Sequence, residues 1–198
     1  MQIRKPTQQR KREALEAAQK IIYEKGFSKL TIREIARHLD ISEAALYRHF
    51  NDKKDIIDQL TDLVFNEACA LENKANQDAL RILDNFMLSQ AEKFKDNPYL
   101  AVISFQDEMF REYPDIKEKF NKHQMKREEE LVKIIKKGIK EKTIREDINP
   151  NSFAVIFMGS IRVTVLKWKN NDFSYPLKKE LNEIKEELFK YIAGDKKW

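Results

Sequence analysis

Residues 41–50, ISEAALYRHF, combine two kinds of side chain within about three helical turns. Tyr47, Arg48 and His49 stand in a row, and each carries an O–H or N–H donor that can bond to a phosphate oxygen or a base edge. Leu46 and Phe50 are apolar and four residues apart, so on a helix they share one face. The stretch is therefore predicted to be a short helix that is anchored on one side and presents hydrogen-bond donors on the other.

Strong start and stop signals precede this helix. In TIRE, Thr31 can cap the free amides of a helix start, and Glu34 can reach back to complete a capping box. That helix is predicted to end at Asp40, because aspartate tolerates the left-handed conformation better than most residues. Ser42 is expected to cap the next helix. The pattern indicates two helices joined by a four-residue turn.

The remaining sequence favours helix almost throughout. Only four glycines and five prolines occur in 198 residues, which argues against sandwiches and barrels. A first helix is predicted over 7–25 with Gly26 as its cap, and Asn51 is expected to cap a fourth helix that starts near Lys53. Later helices are predicted over 76–95, from after Pro98 to 111, and over 116–142, 150–169 (capped by Asn149) and 175–192. The predicted fold class is all-α, with about nine helices.

The positive charge is concentrated at one end. Residues 1–55 hold thirteen lysines and arginines against eight acids, which accounts for the whole net charge of +5. Arg4, Lys5, Arg10, Lys11 and Arg12 lie within the first twelve residues, which contain no acid. A basic end on a neutral body is expected of a nucleic-acid-binding module, but a solvated tail without a partner fits the charge equally well.

The segment TIREIARHLDISEAALYRHFNDKKDI resembles the DNA-binding helix-turn-helix of the TetR family of transcriptional regulators, over about residues 10–57. Two positions depart from the family pattern: Asp40 and Ala44 stand where glycine is usual or frequent. The resemblance implies an N-terminal three-helix helix-turn-helix domain, residues 1–55. It also implies a C-terminal helical ligand-binding and dimerisation domain, residues 56–198.

The residues expected to contact a double-stranded DNA operator lie on and beside the third helix. They are Thr31, Arg33, Ser42, Glu43, Ala44, Ala45, Tyr47, Arg48, His49 and Lys53, of which Glu43, Ala44, Ala45 and Arg48, flanked by Arg33, are the candidates for base edges. Tyr47, His49 and Lys53 resemble the family's backbone-contacting positions. Thr31 and Ser42 stand at helix starts, where phosphates bind, but they could serve as caps alone. Tyr47 could instead pack against the fourth helix.

The last two predicted helices point to a homodimer. The segment 153–168 is apolar almost all round, and Gly159-Ser160 would let another helix approach closely. The final helix carries apolar residues at alternating spacings of four and three. In the TetR family these two helices form a four-helix bundle with a second copy. The expected interface residues are Phe157, Ile161, Leu177, Leu181, Ile184 and Leu188.

The middle helices are rich in large, soft side chains. For any one of them a place in the core is the simpler interpretation, but the resemblance implies a cavity for a small-molecule effector. The expected pocket residues are Phe65, Phe86, Gln90, Phe105, Met109, His123 and Arg162. Arg162 is expected more readily to pair with an acid across the dimer than to meet a ligand carboxylate.

Other classes of protein are not indicated. The three histidines lack metal-ligand spacing, no catalytic or phosphate-loop motif occurs, and no cofactor or enzyme activity is expected. Cys69 is alone, no secretory signal opens the chain, and no apolar run suits a membrane span, so a cytoplasmic protein is expected. The sequence predicts a homodimeric repressor that leaves its operator when a small apolar effector binds. The alternatives are a helical lipid- or small-molecule-binding protein and a DNA-binding regulator that answers to a protein partner.

Overall fold

The computed structural model describes residues 7–65 and 77–194, which form ten α-helices and no strand. The all-α prediction is confirmed. The count exceeds the expected nine because the segment after Pro98 splits into two short helices, Leu100–Ile103 (α6) and Asp107–Glu112 (α7). Arg4 and Lys5 of the basic tail, and Cys69, lie outside the described residues. Within the described ranges, no helix is long and apolar enough to cross a bilayer.

The helices belong to two compact units. One unit comprises residues 7–65 and 99–120, and the other comprises residues 77–98 and 121–194. The helices Thr7–Lys25 (α1), Ile32–His38 (α2), Glu43–Tyr47 (α3) and Lys53–Phe65 (α4) belong to the first unit together with α6 and α7. The helix Pro114–Lys140 (α8) begins in the first unit and continues in the second. The division predicted at residue 55 separates a DNA-binding domain from a regulatory and dimerisation domain, and it remains a prediction.

The core of the first unit forms where the apolar faces of α1, α2 and α4 meet. Ile21 and Ile22 of α1 are buried there, and Gly26 ends that helix with φ 85°, donating its N–H to the Ile22 carbonyl at 3.0 Å. Glycine adopts this left-handed conformation without the clash that a Cβ would cause. The predicted cap at Gly26 is therefore confirmed, and the chain continues into a short 3-10 helix, Phe27–Lys29, before α2 begins.

At the starts of α2 and α4, the structure differs in detail from the predicted caps. Thr31 Oγ1 accepts from Glu34 N at 3.0 Å, but the Glu34 carboxylate bonds to Lys25 and Arg37 rather than reaching back to Thr31. The TIRE box is therefore only half formed, because two cations compete for its acid. At α4, Asp52 rather than Asn51 supplies the capping oxygen, accepting from Asp55 N at 2.8 Å.

The second unit is built from Ala79–Asp96 (α5), the rest of α8, Pro150–Asn170 (α9) and Leu177–Ile192 (α10). Asn149 caps α9 as predicted, since its Oδ1 accepts from the N–H groups of Asn151 and Ser152 at 3.0 Å. Between α5 and α10, the buried Lys185 ammonium lies 2.7 Å from Asp84 Oδ1. This pair forms a polar contact between α10 and α5.

A glycine lies within α8 because two side chains crowd it. A Cβ at Gly138 would lie 2.6 Å from Ile144 Cδ1 and 2.7 Å from the Ala79 Cβ, closer than real carbon atoms approach. The cost of glycine within a helix is thus offset by close packing of α8 against the start of α5.

Candidate nucleic-acid interface

The turn between α2 and α3 has the geometry that a helix-turn-helix needs. Asp40 adopts φ 52°, the left-handed conformation predicted for it, and Ile41 donates its N–H to the Ala36 carbonyl at 3.0 Å. Ala36 is buried, and its small side chain lets α2 and α3 pack together. The turn therefore fixes the direction in which α3 leaves α2.

The side chains of α3 and of the residues after it fall into a buried group and an exposed group. Leu46 and Phe50 are buried, which confirms their predicted anchoring role. Tyr47 is 54% exposed. The other exposed side chains expected to face DNA are Glu43, Ala44 and Arg48, together with Thr31, Arg33 and Ser42 around them. The surface that these residues form is the candidate reading face.

Helix α3 ends earlier than expected, at Tyr47, so Arg48 and His49 belong to the turn that follows. Ala45 and His49 are half-buried. The Nδ1 atom of His49 is buried and has no hydrogen-bond partner. Only Nε2 of this ring can therefore bond to a phosphate, which limits the orientation of any such contact.

The hydroxyl groups of both helix starts are engaged as caps. Ser42 Oγ accepts from Ala45 N at 3.2 Å, in the same way as Thr31 Oγ1 accepts from Glu34 N. A hydroxyl that accepts one bond still has a proton to donate. Both side chains are exposed, so capping and a phosphate contact are compatible at the same residue.

Lys53, the first residue of α4, is held by three side chains. Its Nζ lies 3.2 Å from Glu112 Oε1 and 4.4 Å from the centre of the Phe27 ring, with the Tyr113 ring at 5.9 Å. A hydrogen bond from Tyr113 and the charge of Lys53 lower the pKa of Glu112, whereas burial and Glu112 raise the pKa of Tyr113 to about 12. Sequence reasoning missed Glu112, because nothing local connects residues 59 positions apart.

Two further ion pairs connect α4 with the start of α8. Lys54 Nζ lies 2.7 Å from Asp115, and Lys119 Nζ lies 2.9 Å from Asp58 and 2.6 Å from Asp62. Burial alone would lower the pKa of Lys119, but its bonds to these two acids raise it. Together with Lys53–Glu112, these pairs connect α4 to residues 112–119 along one side.

The expected pocket residues fall in both units. In the first, Met109 is buried, Phe105 is half-buried, and Phe65 lies 4.8 Å from Phe120 between ring centres. In the second, Phe86 and Gln90 are buried one turn apart on α5, and His123 is half-buried on α8.

Arg162 does not join the pocket residues of the second unit. It is exposed on the side of α9 that faces away from the buried Phe157. Arg162 was expected to line a pocket, but in the structure its side chain lies on the exposed side of α9.

Four of the expected interface residues are buried by the protomer's own helices: Phe157, Ile161, Leu177 and Leu181. Phe157 and Leu181 have no exposed surface for a partner to contact, and Ile161 and Leu177 expose only 5% and 3%. Ile184 and Leu188 are half-buried. The large apolar side chains that α9 and α10 do expose are Val155, Ile156, Val163 and Tyr191. Of these, only Tyr191 belongs to the apolar series of the final helix that was expected to form a packing seam. A helix that is apolar all round gives no periodicity from which to choose its outer face.

Within the described ranges, no group of three histidine, cysteine or acidic side chains is arranged to hold a metal ion. The features that stand out in this part of the molecule are instead a short helix, α3, that exposes Glu43, Ala44 and Tyr47, capped helix starts and a lysine at the start of α4.

Comparison with known proteins agrees with this geometry. Residues 14–60 match the family model described as bacterial regulatory proteins, tetR family. The nucleoid occlusion factor SlmA of Vibrio cholerae serotype O1 is 25% identical over 177 residues, covering 84% of this chain and 87% of SlmA. The ketosteroid transcriptional regulator KstR2 of Mycobacterium tuberculosis has a similar fold, with a TM-score of 0.78, 18% identity and 98% of each chain covered. The transcriptional regulator FadR of Bacillus subtilis, solved in complex with stearoyl-CoA, also has a similar fold. Its TM-score is 0.74 at 21% identity, and the match covers 92% of this chain and 99% of that chain.

Proposed function

Because the chain belongs to the tetR family of bacterial regulatory proteins through its N-terminal helices, we propose that it is a ligand-responsive repressor that binds operator DNA as a homodimer. The observation that carries this proposal is the reading face, in which Leu46 and Phe50 anchor a helix whose polar side chains are exposed. A helix held in this way can enter the major groove and contact base edges.

The reading face offers both kinds of contact that sequence-specific binding needs. Tyr47 and Lys53, with Nε2 of His49, supply donors for phosphates, which position the protein on the duplex. Arg48, exposed after α3, can form a two-pronged contact with guanine, and the Ala44 methyl can meet a thymine methyl. Thr31 and Ser42 add hydroxyl donors at two helix starts.

The dimer would form through the outer faces of α9 and α10. Val155, Ile156 and Val163 of α9 are 59%, 54% and 65% exposed, which is unusual for side chains of this size. Between them, a Cβ at Gly159 would meet nothing within 4 Å, so a partner helix could approach closely there. We name this surface, completed by Tyr191 and the half-buried Ile184 and Leu188 of α10, the outer apolar face.

A two-fold dimer would place two reading faces about 34 Å apart, one turn of DNA, or a multiple of that distance. The exposed Arg162 borders the outer apolar face, where it could pair with an acid of the second copy. This supports the interpretation of Arg162 as an interface residue rather than a pocket residue.

The proposed effector is a small, largely apolar molecule that binds in residues 56–198 and weakens operator binding. An effector can do this only if it binds the released state more tightly than the DNA-bound state. The structure of the FadR neighbour with stearoyl-CoA is a precedent in a protein of similar fold.

A second candidate keeps DNA binding but replaces the small molecule with a protein partner. The observation that favours it is the name of the sequence relatives, which are nucleoid occlusion factors. Native mass spectrometry of the purified protein separates the two, because a retained small molecule adds its mass to the dimer. A dimer without added mass, whose operator binding changes only when cell extract protein is added, would favour the partner.

The test of DNA binding is selection from a random duplex library with the full chain, followed by titration of the enriched duplex against salt. We expect a two-fold symmetric sequence and an affinity that falls steeply as salt rises, since phosphate contacts release counterions. A library that stays unenriched, or an affinity insensitive to salt, would contradict the proposal.

A further inference from the structure

Helix α8 carries a row of side chains that the protomer leaves uncovered. With Asn151 of α9, this row lines a shallow groove on the second unit. Its members on α8 recur every three or four residues and therefore share one face of the helix: Met125, Glu128, Glu129, Val132, Lys133 and Lys136. Met125 is 63% exposed, Val132 is half-buried and the four charged side chains are exposed. We name these six residues the α8 stripe.

The charges of the α8 stripe are sorted along the helix. Both acids precede Val132, by three and four positions, and both lysines follow it, by one and four positions. The stripe therefore has an acidic half and a basic half on either side of one apolar side chain. A solvated helix face that is stabilised by its own ion pairs typically alternates the two signs instead.

These charges are also unpaired within the protomer. Glu129 and Lys133 stand four residues apart, in the order that favours an ion pair on a helix. Lys137 and Glu141, at the same spacing on the same helix, lie 3.9 Å apart. Within residues 7–65 and 77–194, however, none of the four charged side chains of the stripe forms an ion pair or a hydrogen bond. The stripe thus keeps two acids and two lysines free for another molecule.

A stripe with opposite charges on either side of a central residue is complementary to a second copy of itself. When two such helices lie antiparallel with Val132 on a two-fold axis, Glu128 of each copy lies opposite Lys136 of the other, about 6 Å from the axis. Glu129 then lies between Lys133 and Lys136 of the second copy. We propose that the α8 stripe binds the α8 stripe of a second copy of this chain in that antiparallel arrangement.

This contact is separate from the proposed dimer. A two-fold contact has a single axis, and an axis through Val132 on α8 differs from one through the outer apolar face of α9 and α10. A protomer that uses both surfaces therefore binds two different copies, and dimers join into larger assemblies. Only the size of the assembly rests on the proposed dimer, whereas the stripe contact does not. Paired dimers would occupy neighbouring operators cooperatively.

The test measures assembly as a function of concentration. One pair of helices buries less surface than a stable interface needs, so full-length protein should be dimeric at roughly 5 micromolar and form tetramers towards roughly 500 micromolar. Sedimentation velocity at low salt follows this change. The tetramer should dissociate as salt rises, because exposed charges are screened.

Charge reversals test the pairing of the two halves. Glu128→Lys with Glu129→Lys makes the stripe wholly basic, and Lys133→Glu with Lys136→Glu makes it wholly acidic. Each double variant should raise the concentration at which half of the dimers are paired at least about tenfold, because like charges then face each other. An equal mixture of the two variants should pair again, since a basic stripe then meets an acidic one. The variant with all four changes should also pair, with an unchanged net charge.

A matched control carries the same change of charge elsewhere. Asp96 and Glu146 are exposed residues of the second unit outside the stripe. Asp96→Lys with Glu146→Lys adds as much positive charge as the basic double variant, but should pair as the original chain does. Equal losses in the control and in the basic variant would show a general effect of charge and would contradict the stripe contact.

The remaining outcomes separate this contact from the proposed dimer. An original chain that stays dimeric throughout, or double variants that pair as well as it does, would overturn the stripe contact alone. Should the double variants become monomers, Val155→Asp with Val163→Asp decides the meaning. If that variant still pairs, the stripe contact stands and the outer apolar face fails. If it is also monomeric throughout, both surfaces belong to one interface and the separate contact is overturned. An original chain that is always monomeric would refute both.

Discussion

The Lys53 ammonium lies 3.2 Å from Glu112 Oε1, which connects the first residue of α4 with the last residue of α7. The side chain expected to contact a DNA phosphate is thus already paired with a carboxylate. A phosphate and Glu112 would compete for one cation, and both are negative. We therefore expect this acid to weaken the proposed DNA binding even as it positions the lysine.

Glu112→Gln is expected to tighten DNA binding roughly two- to fivefold at low salt, because a partly exposed ion pair is worth no more than about 1 kcal/mol. Fluorescence anisotropy with the selected duplex at two salt concentrations measures the change, which should shrink as salt rises. Glu108→Gln, an equal change of charge at an exposed residue of α7, is the control and should have a smaller effect. Weaker binding by Glu112→Gln would mean that positioning outweighs competition.

Tyr47→Ala should weaken binding to operator and unrelated duplexes by about the same factor, since a phosphate contact carries no sequence information. Tyr47→Phe isolates the hydroxyl and should reproduce most of the loss. Competition binding with both duplexes measures the two factors. A changed order of sequence preference, with overall affinity retained, would instead place Tyr47 at a base edge.

Ser42→Asp separates capping from phosphate binding. Aspartate is as good a cap as serine, so the free energy of unfolding should stay within about 0.5 kcal/mol, whereas Ser42→Ala should lower it by about 1 kcal/mol. The added negative charge should nevertheless weaken DNA binding more than alanine does. Urea unfolding and anisotropy give the two readouts. If Ser42→Asp binds DNA normally, Ser42 is a cap alone.

Val155→Asp and Val163→Asp should convert the dimer to monomers, because each places a charge on the outer apolar face. Sedimentation velocity at micromolar concentration measures the result. Met125→Asp, at an equally exposed apolar residue on α8, is the control and should remain dimeric. Leu181→Asp is less informative, since Leu181 is fully buried and its replacement would unfold the protomer itself. A dimer that persists in both valine variants would exclude this interface.

The ion pairs of Glu34 should make the free energy of unfolding depend on pH. Hydrogen bonds from Arg37 and then Lys25 lower the pKa of Glu34 from 4.5 to about 2. A carboxyl with a lowered pKa in the folded state stabilises above its unfolded pKa, and this stabilisation is lost as pH falls from 4.5 towards 2. The free energy of unfolding should therefore fall less over this window in Glu34→Gln than in the original chain. Urea titrations at several pH values measure the difference; parallel curves would contradict it.

Local patterns made the reading face predictable from the sequence. Caps act over three residues, and the left-handed turn at Asp40 and the anchors Leu46 and Phe50 depend on spacings of a few positions. These short-range signals act within a single helix or turn, so the order of residues alone carries them. The same logic failed at the start of α4, where Asn51 and Asp52 are both suitable caps and only geometry selects Asp52.

The sequence by itself determined that the protein is helical and that residues 31–50 form a capped helix-turn-helix. Only the tertiary structure decided that Glu112 pairs with Lys53, that α9 turns Val155 and Val163 outward, and that Arg127 lies beside Phe86. The physical reason is distance along the chain. Caps and helical periodicity are properties of neighbouring residues, whereas ion pairs between helices and the choice of a buried face depend on how separate helices pack.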